Sequence, residues 1–279
     1  MIGTLDNAFL LGLPETVQSQ LKSSLEPVSF QAGTDLYLPD AAVDWIYFPV
    51  AGLVSFGSLL EIDDQADAAI IGREGVVGLF EAAGSGRMPC RALVQIDLSA
   101  VRMPAKRFVE LVDQNEAFRR AVFLHAETTM AEMREAVACR SRHRLQARLA
   151  SWLITYQARS GYETLHLSQE FLAAILGVQR TTVSAAAADL KTGGRIKSAR
   201  GAIRIGDRAG LQRVACGCYA VRTDHERRFE AWAQDRISPA PGKQMSRPIR
   251  EETDWPAGLS RRHAPASIPR TEAPSPAAR

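Results

Sequence analysis

The stretch LSQEFLAAILGVQRTTVSAAAADLKTGGRI, residues 167–196, constrains the fold more than any other part of the chain. Ser168 is a good helix N-cap, and Glu170 in the first turn suits the positive end of the helix dipole. Leu172, Ile175 and Leu176 fall on one face. Gly177 suits a left-handed C-cap, so this helix ends after barely two turns. A second helix opens near Gln179, and its Val183, Ala187 and Leu190, at i, i+4 and i+7, can pack on the first. Two short helices crossing steeply about a glycine turn make a helix–turn–helix. GGRIKSARGAIRI, residues 193–205, alternates around Gly201 and reads as a β-hairpin, which completes a winged helix.

The second helix turns Arg180, Thr181, Ser184, Ala185, Ala188 and Lys191 outward. A recognition helix presents its N-terminal residues to base edges in a major groove. Arg180 suits guanine O6 and N7 or a phosphate, and Thr181 and Thr182 suit phosphate and the thymine methyl. The alanines allow close approach, to the first helix at Ala187 and to DNA at Ala185 and Ala188, and they supply the helix propensity that Thr181, Thr182 and Val183 lack. Ser168, Gln179, Arg195, Lys197 and Arg200 complete the expected DNA-binding set. Charge agrees. Residues 1–115 carry 7 Lys/Arg against 15 Asp/Glu, whereas residues 139–213 carry 13 against 4. The net charge of +3 therefore conceals an acidic first part and a compact basic segment that attracts phosphate.

Between Pro27 and Val101 the runs PVSFQ, WIYFPV, GLVSFGSLL, ADAAIIG and PCRALVQIDL read as short strands punctuated by glycines such as Gly33, Gly52, Gly72, Gly75 and Gly78, an antiparallel sandwich or barrel. Short helices are expected before them. PAKRFVELVDQ starts a helix with proline in its first turn. A long helix follows over about 115–138, with Phe118, Val122, His125, Thr129, Met133 and Val137 on one face, which suits a two-fold helix pair. RHRLQARLASWLITYQARSG is another helix, closed by Gly161. Beyond Ala220 a short helix over RTDHERRFEAWAQDR precedes a tail, from Ile237, too rich in Pro, Ser, Ala and Arg to form a core, so disorder is expected there. No apolar run reaches the length of a membrane span, and no secretory signal opens the chain, so a cytoplasmic protein is expected.

This order of elements resembles the Crp/Fnr family of bacterial transcription regulators over roughly residues 10–215. Residues 167–196 are similar to the family pattern: a hydroxyl residue, an apolar pair, Ile-Leu-Gly, then Arg-x-Thr-Val, with the family's Arg at Arg180 and its Thr-Val at Thr182–Val183. Thr181 stands where a Glu is usual and Ala185 where a later Arg is usual, which points to a different operator. FQAGTDLYLPDAAVDWIYFPVAGLVSF resembles the cyclic-nucleotide-binding barrel. The resemblance implies an α+β chain: a cyclic-nucleotide-binding-like jelly-roll β-barrel over 1–114, a dimerisation helix over 115–139, a winged helix–turn–helix over 140–219, and a short helix and disordered tail over 220–279. It implies a homodimeric, sequence-specific DNA-binding regulator, not an enzyme, with a palindromic operator in double-stranded DNA and RNA polymerase as a further partner, and no membrane. The sequence names no effector and does not separate activator from repressor.

GREGVVGLF occupies the family's phosphate cassette. Val76 after Gly75 replaces the glutamate that holds the ribose, and no Arg-Ser pair follows, only Arg87 and Arg91 in GRMPCRA. Gly75, Val76, Arg87 and Arg91 are therefore the candidate effector pocket, cyclic AMP is not expected there, and no cofactor is expected. The four cysteines make no disulfide framework, and residues 1–30 hold none for an iron–sulfur centre. Cys216 and Cys218 with Cys139 are too few ligands for zinc, so buried thiols are favoured and no metal is expected; a redox role for Cys216 and Cys218 stays open. His125 is read as a packing histidine rather than a sensor, and His143 and His166 as surface residues. The acidic run at 61–67 suits a solvated turn, and GSGR lacks the rest of a P-loop. The alternative function is a ligand-binding signalling protein whose winged helix contacts proteins.

Overall fold

The computed structural model describes residues 6–221 apart from 62–63 and 200, together with positions 223 and 227. Arg200, the tail from Ile237 and most of the short helix expected beyond Ala220 lie outside the described residues.

The N-terminal part opens with α1 (Ala8–Leu11) and α2 (Glu15–Lys22), then β1 (Glu26–Phe30), β2 (Asp35–Tyr37), β3 (Trp45–Glu61), β4 (Asp64–Ile71), α3 (Leu79–Ala83) and β5 (Arg91–Pro104). The strands form an antiparallel sheet in the order β1-β5-β3-β4, with β2 also on β5. This is the expected jelly-roll type of fold. One expectation changes: WIYFPV and GLVSFGSLL are one strand, β3, not two. Gly52 bends it rather than ending it, with φ of 100°. A Cβ there would sit 2.4 Å from the Asp97 carbonyl oxygen on β5. Both the left-handed backbone and the close approach require glycine. Gly52→Ala is expected to lower stability by about 2 kcal/mol, read as a lower urea midpoint. The core beneath this sheet is built on Phe48, Ile46, Leu98, Met103, Phe108 and Phe118, with Phe108 and Phe118 edge to face at 5.4 Å.

Next come α4 (Ala105–Gln114), α5 (Glu116–Arg142) and α6 (Leu145–Ser160). Asn115 caps α5, its side chain accepting from the Phe118 amide at 3.0 Å. The helix runs 27 residues, one turn beyond the expected end. Its expected single face divides. Phe118 and Val122 are buried in the N-terminal core, while Phe123, Met130, Met133 and Val137 are exposed. Phe123, Met130 and Val137 are spaced by sevens, and Met133 lies between the last two, the repeat of a helix-pair seam.

The last part is β6 (Thr164–His166), α7 (Gln169–Leu176), α8 (Arg180–Thr192), β7 (Ile196–Ala199), β8 (Ala202–Ile205) and α9 (Arg208–Val214). The expected hairpin is β7–β8, and β6 adds a third strand on β8. Its core joins Trp152, Leu153, Leu172, Val183, Leu190 and Ile203 to Leu53, Ile70 and Ile96 of the N-terminal sheet. The winged helix is therefore packed against the sheet by shared apolar burial, about 25 cal/mol for each Å² removed from water.

Candidate nucleic-acid interface

Local rules build the helix–turn–helix. The Ser168 side chain accepts from the Phe171 amide at 3.0 Å, starting α7. Gly177 ends it with φ of 62°, its amide reaching back to Ala174 O. Gln179 is then extended and α8 begins at Arg180, meeting α7 at 104°. Two guanidiniums hold the C-terminus of α7: Arg140 of α5 donates to Ile175 O at 2.9 Å, and Arg148 of α6 donates to Leu176 O. Cations at the negative end of a helix are favourable, and these two fix the motif to the helices behind it.

On α8 the alanine run splits. Ala186 and Ala187 are buried against the domain, while Ala185 and Ala188 are exposed beside Arg180, Thr181, Thr182 and Lys191. The outward face is the expected one. Arg180 is 66% exposed and paired with Glu170 of α7, Nη1 to Oε1 2.7 Å. The Glu170 carboxyl is held below its ordinary range, chiefly by a hydrogen bond to its own backbone, with Arg180 adding to it. Ser184 is half-buried and bonds to Gln169 Oε1 and to Arg180 O. Ser168 is exposed but committed to its cap. Lys191 donates to Ser198 O at 3.1 Å, tying α8 to the wing. In the wing, Lys197 is exposed opposite Arg204, and Arg195 is half-buried at the turn before β7. Gln179, Arg180, Thr181, Thr182, Ala185, Lys191 and Lys197 thus share exposed surface from the start of α8 to the hairpin.

The candidate effector residues separate. Gly75 and Val76 line a cavity of about 940 Å³ between the N-terminal sheet, α5 and α6. Arg87 and Arg91 are not among its lining residues. Arg87 donates to Asp40 O at 2.7 Å, and Arg91 makes a two-pronged pair with Asp35, at 2.6 and 3.2 Å. Asn7 fixes one wall of the cavity, donating to Pro49 O and Gly75 O at 2.9 and 2.8 Å. His125 lines it between Phe9 and Phe80, ring centroids 5.4 and 6.2 Å away, with Nε2 unpartnered. Burial pushes its pKa down to about 4. The sequence reading missed the polar link at this cavity: Arg159 of α6 pairs with Glu74, at 3.2 Å, and with Glu132 of α5, at 2.6 Å. Periodicity has no signal for such a group, because the partners are distant in sequence. The reading also missed the fourth member of a ligand-type cluster. His143 is exposed, as expected, and stands beside Cys139, Cys216 and Cys218.

A helix–turn–helix with an exposed cationic first turn and a basic wing defines a winged-helix protein of the DNA-binding type. Residues 147–214 match the Crp-like helix-turn-helix domain. The fold is similar to that of FixK2 from Bradyrhizobium japonicum, at 20% identity and a TM-score of 0.59, over 69% of this chain and 98% of that one. It is also similar to TTHA1359, a CRP/FNR-family transcriptional regulator from Thermus thermophilus, at 22% identity and a TM-score of 0.55, over 68% and 98%. The regulator CLP of Xanthomonas campestris, described as c-di-GMP responsive, is similar at 13% identity and a TM-score of 0.54, over 68% and 97%. No curated protein matches the chain. Residues 147–214 thus form a Crp-like helix-turn-helix domain, and the chain shares the fold of these solved structures. Among the described residues no single helix is long and apolar enough to cross a membrane.

Proposed function

We propose that the protein is a homodimeric, sequence-specific transcription regulator that reads a palindromic operator through α8. The observation that carries this is the exposed cationic start of α8, placed on a Crp-like helix–turn–helix and continued by Lys191 and Lys197 onto the wing. The exposed seam of Phe123, Met130, Met133 and Val137 supports pairing of two α5 helices, because apolar side chains at heptad spacing bury one another in a helix pair. Pairing sets two recognition helices about 34 Å apart, one turn of DNA. Arg180 exchanges Glu170 for a base edge or phosphate on binding. Thr181, small where the family carries Glu, leaves room for a different base pair.

The N-terminal domain acts as an effector or scaffold module, and cyclic AMP is not its ligand. Val76 offers no carboxylate, and Arg87 and Arg91 are engaged by Asp40 and Asp35. The test is fluorescence anisotropy on an operator selected from randomised duplexes. Arg180→Ala is expected to weaken binding by about 10- to 100-fold and to relax the preference at one position in each half-site. Wild-type affinity should fall steeply with salt, with a log–log slope of several units. Flat salt dependence with unchanged binding by the variant points to a winged helix that contacts protein instead.

A further inference from the structure

We propose that Cys139, His143, Cys216 and Cys218 form a site for a single zinc ion, which fastens the segment after α9 to the last turn of α5. Cys139 and His143 are four residues apart, so they share a helix face. Cys216 and Cys218 come from a turn 73 or more residues later in the chain. That turn is anchored beside them by the Cys216 amide, which donates to Ala147 O at 3.2 Å.

The four ligand atoms all lie within 4.8 Å of one another. The Cys139 and Cys216 sulfurs are 3.6 Å apart, and Cys218 Sγ is 3.4 Å from His143 Nδ1. A tetrahedral zinc with Zn–S of about 2.3 Å and Zn–N of about 2.0 Å has sulfur–sulfur edges of roughly 3.8 Å and sulfur–nitrogen edges of roughly 3.5 Å. The two shortest pairs already stand at those separations.

Other uses of the residues fit less well. A disulfide between Cys139 and Cys216 needs about 2.05 Å and leaves Cys218 and His143 without a role. An iron–sulfur cluster spreads its thiolates over several iron atoms and so over a wider span. Apolar packing does not explain the group, because Ala147 is the one hydrophobic residue packed against the three cysteines among the described residues. Three thiols and a neutral imidazole are a donor set for zinc. Binding releases the three thiol protons to solvent and requires no oxidant. The site lies where α5 stops, His143 being its extended C-cap, so the ion holds the junction between α5 and the winged helix.

The test is metal analysis of the full-length protein purified without chelator. One zinc per chain is expected, falling below about one tenth in Cys216→Ser/Cys218→Ser and unchanged in Cys90→Ser, whose cysteine is remote from the site. Exchange with Co²⁺ should give thiolate-to-cobalt charge-transfer bands. His143→Cys should keep one metal and strengthen those bands by about one third, from three thiolates to four. This variant and the wild-type spectrum decide the matter even if the double serine variant does not fold. Metal-free protein with all four thiols reactive, metal-free protein with two thiols missing, or bound iron with inorganic sulfide would each overturn the proposal.

Discussion

Arg159→Ala is expected to destabilise the protein by about 3–5 kcal/mol and to unfold much of it at physiological temperature. The guanidinium is 6% exposed. Its Nη1 lies 3.2 Å from Glu74 Oε1, and its two Nη atoms bond both oxygens of Glu132, at 3.1 and 2.6 Å. Burial raises the Glu74 carboxyl, and Arg159 is the main influence opposing it. Without the cation, two carboxylates face each other with no counter-charge. The Glu74 carboxyl, already raised by burial, is then driven further toward the protonated form, so the variant should recover part of its stability as pH falls. The triple replacement Arg159→Met, Glu74→Gln, Glu132→Gln removes all three charges and is expected to lie much nearer wild type, because a desolvated ion network adds little net stability over uncharged groups of similar volume. Urea melts of the single and triple variants measure this. A single variant within about 1 kcal/mol of wild type would mean that water reaches the network freely. The three residues come from the loop after β4, from α5 and from α6. Loss of the network therefore also loosens the sheet from the winged helix, which α6 opens.

The difference between what is legible in the chain and what is not follows from sequence distance. The winged helix is legible because its determinants are local. Ser168 as cap, Gly177 as left-handed stop and Val183, Ala187 and Leu190 as packing face all act within a few residues, and each appears where expected. The strands are legible as apolar runs, but Gly52 reads as a turn because glycine marks both turns and bends; only the partner strand, with Asp97 O under the missing Cβ, distinguishes them. The long-range constellations are not legible. Cys139 groups with Cys216 and Cys218 in sequence, but the three count as too few ligands for zinc, and only folding brings His143 to them as a fourth. The same holds for Arg87 and Arg91. They lie in the expected segment, yet Asp40 and Asp35, which hold them away from the cavity, lie 47 and 56 residues earlier.

Acidification is the second large effect expected, and His125 is its source. Its ring lies between Phe9 and Phe80, under Gly75, with Nε2 unpartnered. Burial is the largest influence on it; Glu132 of its own helix opposes burial by raising its pKa, Arg159 of α6 adds to burial by lowering it, and the value falls from 6.5 to about 4. The folded protein therefore refuses a proton that the unfolded chain accepts. Stability associated with the neutral ring is complete above 6.5 and is lost as pH falls from there through about 4. A displacement of that size corresponds to about 3 kcal/mol. His125→Leu keeps an apolar side chain in the cavity wall and removes the titration. The gap between wild-type and variant unfolding free energies should then shift by about 3 kcal/mol in favour of the variant between neutral pH and about pH 4. Other carboxylates titrate in the same range, but they are common to both proteins and cancel in the difference. Parallel pH profiles would place the imidazole in contact with water and remove it from the set of groups that make this cavity sensitive to protons.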